Sequence, residues 1–319
     1  MKPLKNITII DFTTLLPGPL ATLMLGDAGA EVIKIEKKGG EELRYSGPFL
    51  EGDSVVFSML NRGKKSIEID LKEVSSYQKI IKLIKNSDVL VEQFRPGVMK
   101  RLKLDWNSVR KINKKIIYCS ITGYGQKGKK RGFAGHDLNY MAESGLLSLS
   151  KSKQGFPTIP PTQIADIAGG TYPAFMNILL ALFKTQRTGV GSYLDISMYE
   201  NLIPLSWAGI SLELYNKKSD KYKNLNLNGY SPRYNIYETS DKKFLALGAL
   251  ENKFWKKFCD IIKAPLNVSN EVQGPQKTIN AVRKIIIKRS SIFWKKKFEK
   301  ETFFSLINKF TRIGLGALG

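Results

Sequence analysis

The sequence predicts an α/β fold: a large domain built on a doubly wound, Rossmann-like parallel sheet, followed by a smaller α+β domain. Three observations carry that prediction. Short runs rich in β-branched residues alternate with helical patterns across residues 7–198, the signature of a parallel sheet with helices on both faces. The first of these segments read strand, helix, strand, which makes a right-handed βαβ unit. A Lys/Asn-rich stretch at 216–228 then interrupts the pattern ahead of a hairpin signal.

In order, residues 7–12 (Ile-Thr-Ile-Ile-Asp-Phe) form the first strand, and Pro-Gly-Pro at 17–19 opens a helix through Leu20, Leu23, Met24 and Ala28 that Gly29 ends. Residues 31–36 return as the second strand. Residues 66–71, 88–94 and 116–121 read as further strands, with an amphipathic helix at 74–86. The apolar pattern from 174 to 183 is a buried helix with Gly189 as its C-cap, and 192–198 alternates like a strand before a helix that runs to about Tyr215. The predicted division is a large α/β domain over 1–215, a linker over 216–228 and a small α+β domain over 229–319. In the small domain, 234–238 and 243–248 make a β-hairpin across Thr-Ser-Asp-Lys.

Composition narrows the function. No G-x-G-x-x-G follows the first strand and no Walker loop occurs, so neither a nicotinamide dehydrogenase nor a P-loop NTPase is expected. Two cysteines, Cys119 and Cys259, support neither a disulfide framework nor a zinc site, and no metal is expected. The N-terminus does not resemble a signal peptide, and the longest apolar run is about 176–183, so the expectation is a soluble, cytoplasmic protein without a membrane partner. Against 28 acidic residues stand 51 basic ones, a formal charge of +23. The cations come in short groups such as 295–297, with no zinc-finger spacing and no long polybasic arm, which describes a Lys-rich surface rather than a nucleic-acid footprint.

Candidate chemistry centres on residues 134–170, which hold the only histidine, His136. Taken alone, a His beside an Asp is more often a hydrogen-bonded structural residue. Here an Asp-x-x-Gly-Gly turn carries Asp166 thirty positions later, a spacing that can bring an acid/base pair together from two loops. Asp166 precedes the 174–183 helix, so the dipole is expected to hold it ionised and nearby N–H groups to receive an oxyanion, unless it simply caps that helix. In doubly wound sheets ligands sit beyond the carboxyl ends of strands. Those segments are Lys37-Lys38, Arg95-Pro96-Gly97 and Gly123-Tyr124-Gly125. The basic loop residues Lys37, Lys38, Arg44, Arg62, Lys64, Lys65 and Arg95 suit a polyphosphorylated anion, and Arg95, at a strand end, is the best of them. Glu251 opens a helix, where a Glu is ordinarily a first-turn dipole partner.

Several motifs then converge: Leu-Pro-Gly-Pro (16–19), Gly-Ala-Glu-Val-Ile-Lys-Ile-Glu (29–36), Asn-Arg-Gly-Lys-Lys-Ser (61–66), Phe-Arg-Pro-Gly-Val-Met (94–99), Ser-Ile-Thr-Gly-Tyr-Gly-Gln (120–126), Ala-Gly-His-Asp-Leu-Asn-Tyr (134–140) and Ala-Asp-Ile-Ala-Gly-Gly (165–170). Together they resemble the family III CoA transferases, and among them most the α-methylacyl-CoA racemases. That resemblance implies an acyl-CoA thioester as substrate, no cofactor beyond its CoA moiety, and an interlocked homodimer. It implies His136 and Asp166 as the acid/base pair that moves the α-proton through an enolate, and Glu251 as the residue that orients His136. It also implies Lys37, Lys38, Arg62, Lys65 and Arg95 as holders of CoA's phosphates and adenine. The alternative within the family is a CoA transferase in which Asp166 is the nucleophile, passing CoA between two carboxylic acids. A third reading is an inactive CoA-binding or basic-surface protein. It arises because the family's return of the last segment to the large domain is not found in the Lys-rich stretch after 273.

Overall fold

The structure, a computed structural model, describes residues 2–71, 73–152, 154–216 and 226–306. The chain divides into two compact units, Met1–Trp207 and Ala208–Gly319. The predicted linker falls largely on 217–225 and the final stretch on 307–319, both outside the described residues.

Six strands form the sheet of the first unit: β1 (Thr8–Asp11), β2 (Glu31–Glu36), β3 (Lys65–Glu68), β4 (Val89–Glu92), β5 (Ile117–Thr122) and β6 (Ser192–Ser197). Their order is β3-β2-β1-β4-β5-β6 and every pairing is parallel. The predicted doubly wound sheet is therefore present, and the order in which strands are added reverses between β1 and β4. Such a reversal opens a crevice beyond the carboxyl ends of the strands.

The helices that cover the sheet are α1 (Pro17–Asp27), α2 (Val74–Lys85), α3 (Trp106–Ile112), α4 (Asp137–Glu143) and α5 (Tyr172–Thr188). Alternate strand residues go to opposite faces. Ile9, Val91, Cys119 and Ile121 pack with Ala21 and Leu25 of α1 and with Ala174 and Ile178 of α5. Ile10, Leu90 and Tyr118 pack on the other face with Ile80 and Ile84 of α2 and Val109 of α3. Both cysteines are free and buried, as apolar filler.

One difference from the expected elements concerns the long helix. Residues Ala165–Thr171 form a π-helical turn that runs straight into α5. The joined run Ala165–Thr188 is long and apolar enough, by length and composition, to cross a membrane. Ala174 and Ile178 are nonetheless fully enclosed by the unit's own core. The C-terminal end matches expectation, with Gly189 left-handed at φ 69°.

The second unit has an antiparallel sheet of β7 (Tyr234–Glu238), β8 (Phe244–Gly248) and β9 (Phe304–Leu306), with β8 central. The predicted hairpin is β7–β8. Helices α6 (Asn252–Ile262), α7 (Pro275–Ile286) and α8 (Ser291–Lys297) cover one face. Trp255, Phe258, Trp294 and Phe298 fill the space between, and Phe298 stacks on Phe258 at 5.7 Å and on Phe304 at 4.7 Å between ring centroids.

Candidate active site

A cleft of about 460 Å³ lies at the carboxyl end of the first unit's sheet. Thr14, Leu15 and Pro17 follow β1, residues 93–96 follow β4, Thr122 ends β5 with Gly123 and Tyr124 just beyond it, and Met198 follows β6. The cleft thus sits at the switch point. Two of the three strand-end segments singled out from sequence, those of Arg95 and Tyr124, line it, whereas Lys37-Lys38 does not.

His136 and Asp166 both line this cleft, together with Arg95. His136 ends an extended loop as the N-cap of α4, its backbone N–H donating to Asn139 Oδ1 at 3.0 Å. Its neighbour Asp137 makes the decisive connection. Asp137 Oδ1 accepts the backbone N–H of Ala165 at 2.6 Å and of Asp166 at 3.0 Å, a clasp across 28 and 29 positions of sequence. The loop carrying the imidazole is thereby fastened to the turn carrying the carboxylate. Glycines make room for this: a Cβ on Gly135 would stand 2.8 Å from the Tyr140 ring, and one on Gly169 would stand 2.4 Å from the Met198 carbonyl oxygen. Tyr140 donates its hydroxyl to Gly135 O at 2.6 Å, closing the same corner.

The carboxyl of Asp166 is pushed up to about 6, first by burial and then by the Asp137 charge, while His136 pulls it back down. Asp166 lies inside the π turn that runs directly into α5, ahead of Tyr172, and burial of its carboxyl makes it a readier proton donor than an ordinary aspartate while leaving it largely ionised at neutral pH. π turns recur at functional sites because they displace a side chain from the regular helical ladder. Of the N–H groups near Asp166, those of Ala165 and Asp166 itself are taken by Asp137, which leaves the role of oxyanion donor to others in the neighbourhood.

The other basic candidates separate. Lys64 is no phosphate ligand: its buried Nζ stands 3.1 Å from Asp11 and donates to Pro19 O, Thr22 Oγ1 and Asn61 Oδ1. Arg44 is held by Glu36 through two bonds of 2.8 and 2.6 Å and stacks 3.9 Å over Phe57. Lys37 pairs loosely with Glu42 at 3.8 Å, Arg62 pairs with Asp27 at 2.7 Å, and Lys65 pairs with Glu31. These three and Lys38 are exposed, outside the cleft lining, where such surface pairs are easily exchanged for another anion. Glu251 belongs to the second unit, as the N-cap of α6, with its carbonyl accepting from Phe254 and Trp255. Sequence reasoning missed Arg131, an exposed cation on the cleft wall, and Asp137. No motif spacing marks Arg131. Asp137 stood next to His136 in the sequence, but only the fold shows what it grips.

An imidazole and a neutral-range carboxyl facing one cleft at the switch point of a doubly wound sheet make a site for proton or acyl chemistry on an anionic ligand. Residues 4–308 match CoA-transferase family III, and the chain belongs to that family. It is 34% identical over 270 residues to acetyl-CoA:oxalate CoA-transferase of Acetobacter aceti, covering 82% of this chain and 67% of the relative. It is 36% identical over 256 residues to alpha-methylacyl-CoA racemase of Homo sapiens, covering 79% and 63%. Among solved structures, Rv3272 of Mycobacterium tuberculosis superposes with a TM-score of 0.83 at 27% identity, covering 99% of this chain and 88% of that one. A CAIB/BAIF family protein from Brucella suis gives 0.82 at 25%, covering 96% and 84%. The chain thus spans roughly two thirds of the length of the curated relatives it matches. Members of the family are enzymes, and its named chemistries include both racemisation and CoA transfer.

Proposed function

We propose that this protein is an acyl-CoA racemase of the α-methylacyl type. The observation that carries the reading is the clasp by Asp137, which joins His136 and a carboxyl poised near pH 6 in a single cleft. Inverting a carbon beside a thioester requires a proton taken from one face and another given to the opposite face. For one enantiomer the imidazole of His136 takes the α-proton, the electron pair moves into the thioester carbonyl to make an enolate, and the carboxylic acid of Asp166 returns a proton to the other face. The opposite enantiomer runs the two roles in reverse. A group that titrates near 6 can serve as acid or base near neutrality, whereas an ordinary aspartate is a poor proton donor there.

In this proposal Arg95, with Lys37, Lys38, Arg62 and Lys65, attracts CoA's phosphates, and Glu251 orients the base. Arg131 and Arg95 give the cleft a positive field that favours both the ligand and the enolate. No metal takes part, and the substrate's own CoA is the only carrier group. The homodimer implied by the resemblance and the cytoplasmic location expected from the composition belong to the same proposal.

A second reading has its own support in the similarity to acetyl-CoA:oxalate CoA-transferase. There Asp166 attacks the thioester, and CoA passes through an aspartyl-bound intermediate to a second acid. His136→Ala separates the two. Under the racemase reading it abolishes loss of optical purity in a 2-methylacyl-CoA; retention of full racemisation by this variant excludes His136 as the base. CoA transfer to an added carboxylic acid, surviving His136→Ala but lost in Asp166→Ala, establishes the second reading instead.

A further inference from the structure

The second unit carries a surface that the cleft chemistry does not use. Seven of the fifteen residues 283–297 are Lys or Arg and none is acidic. They span the end of α7, the turn that follows and α8. α8 turns Ser291 and Trp294 inward, with Phe298 just beyond its end, and these three are buried. Residues at i, i+3 and i+4 share a helix face, so the opposite face presents Ile292, Phe293, Lys296 and Lys297. Ile292 is 72% exposed and Phe293 36%, and Ile287 in the turn is 45% exposed.

These are one patch. The Arg289 guanidinium lies 5.2 Å from the Phe293 ring centroid and the Lys297 ammonium 6.0 Å from it, so two cations stand close to the aromatic ring. Among the described residues, Lys288, Arg289, Lys295, Lys296 and Lys297 have no ion pair. The carboxylates nearby are engaged or peripheral. Asp241 accepts both the N–H and the hydroxyl of Ser291 and meets Lys243, Glu301 pairs with Lys257, and Glu299 follows the helix. An outward helix face on a soluble unit ordinarily mixes charges of both signs with few large apolar groups. Here it has cations alone, set around apolar tips.

We infer that the α8 face, from Ile287 to Lys297, docks on the surface of an anionic phospholipid bilayer. Lysines and arginines meet the headgroup charge, while Ile287, Ile292 and Phe293 enter the headgroup–acyl boundary, the two contributions that hold interfacial helices to membranes. Nucleic acid would satisfy the cations equally, but it offers no apolar layer for Ile287 and Ile292. This inference replaces the expectation of no membrane partner and is independent of the reading of the cleft.

The test uses the whole chain and sedimentation with phosphatidylcholine vesicles, with and without phosphatidylserine. The protein is expected to pellet only with phosphatidylserine vesicles and to be released by salt. At about fivefold per cation near an anionic surface, Lys295→Gln/Lys296→Gln/Lys297→Gln lowers the partition coefficient on the order of 100-fold. Ile292→Ser/Phe293→Ser lowers it as well, although it leaves the charge unchanged. Thermal melting of the variants checks that folding persists. No pelleting with phosphatidylserine vesicles overturns the inference, as does pelleting that Ile292→Ser/Phe293→Ser leaves intact. Displacement from the vesicles by duplex DNA, with DNA affinity unaffected by Ile292→Ser/Phe293→Ser, assigns the patch to nucleic acid and overturns it too.

Discussion

Asp11 and Asp166 are two aspartates at the same carboxyl edge of one sheet, and they have been driven in opposite directions. Asp11 ends β1 and is fully buried. Burial alone would push its pKa up, yet Lys64 and Lys34, with the hydroxyls of Thr13 and Thr22, hold it at about 2. Asp166 is only half-buried, and burial and Asp137 leave it near 6. The difference lies in the partners. A carboxylate saturated by an ammonium and two hydroxyls is a structural anchor, tying β1 to α1 and to the Lys64 loop. A carboxyl whose nearest strong influence is another carboxylate is available to exchange a proton.

The largest effects should fall on catalysis at one aspartate and on stability at the other. His136→Ala and Asp166→Ala are each expected to lower α-proton exchange by about 10²–10⁴-fold, the usual scale for one acid/base group, without loss of the folded state. Asp11→Ala strands the Lys64 ammonium in the interior and should cost about 3–5 kcal/mol in denaturant unfolding. A variant of Asp11 that melts like the parent would end the contrast drawn here.

Smaller changes sharpen it. Asp137→Ala removes the acceptor for two backbone N–H groups and should destabilise by roughly 1–3 kcal/mol. It should also shift the acid limb of the pH–rate profile to lower pH, because Asp166 loses a like-charged neighbour. Asp166→Asn should stabilise the protein. With a folded pKa above the ordinary value, Asp166 contributes stability that is complete below about pH 4 and lost as pH rises through about 6. At pH 7.5 the substitution removes that penalty, worth roughly 1–2 kcal/mol once partial exposure is allowed for; at pH 4 the gain should vanish. Least of all, Arg62→Ala breaks an exposed pair with Asp27 and should change stability by under about 1 kcal/mol.

The sheet was legible because each strand announces itself locally: 31–36 and 116–121 are β-branched runs bounded by turn residues, and 234–248 alternates around Thr-Ser-Asp-Lys. His136, Asp166 and Arg95 were legible from their motifs, and the fold places all three on one cleft. What stayed hidden depends on distant partners. Lys64 looks like any loop lysine until Asp11, 53 positions away, claims its ammonium. Asp137 looks like a neighbour of the histidine until Ala165 and Asp166 arrive to donate to it. The π turn was hidden for a related reason. Ala-Asp-Ile-Ala-Gly-Gly has no propensity signal for it, and the close approach of Gly169 to Met198 that accompanies it is a tertiary contact.

The central claim is that Asp166 and His136 exchange protons with the carbon beside a thioester. Its most direct test is incubation of the protein with one enantiomer of a 2-methylacyl-CoA in D₂O with no acceptor acid present, followed by mass spectrometry and chiral analysis. Deuterium at the α-carbon, gained together with loss of optical purity along an acid limb near pH 6, is the predicted result. An α-carbon that keeps its hydrogen, with CoA transfer appearing once an acceptor acid is supplied, would contradict it.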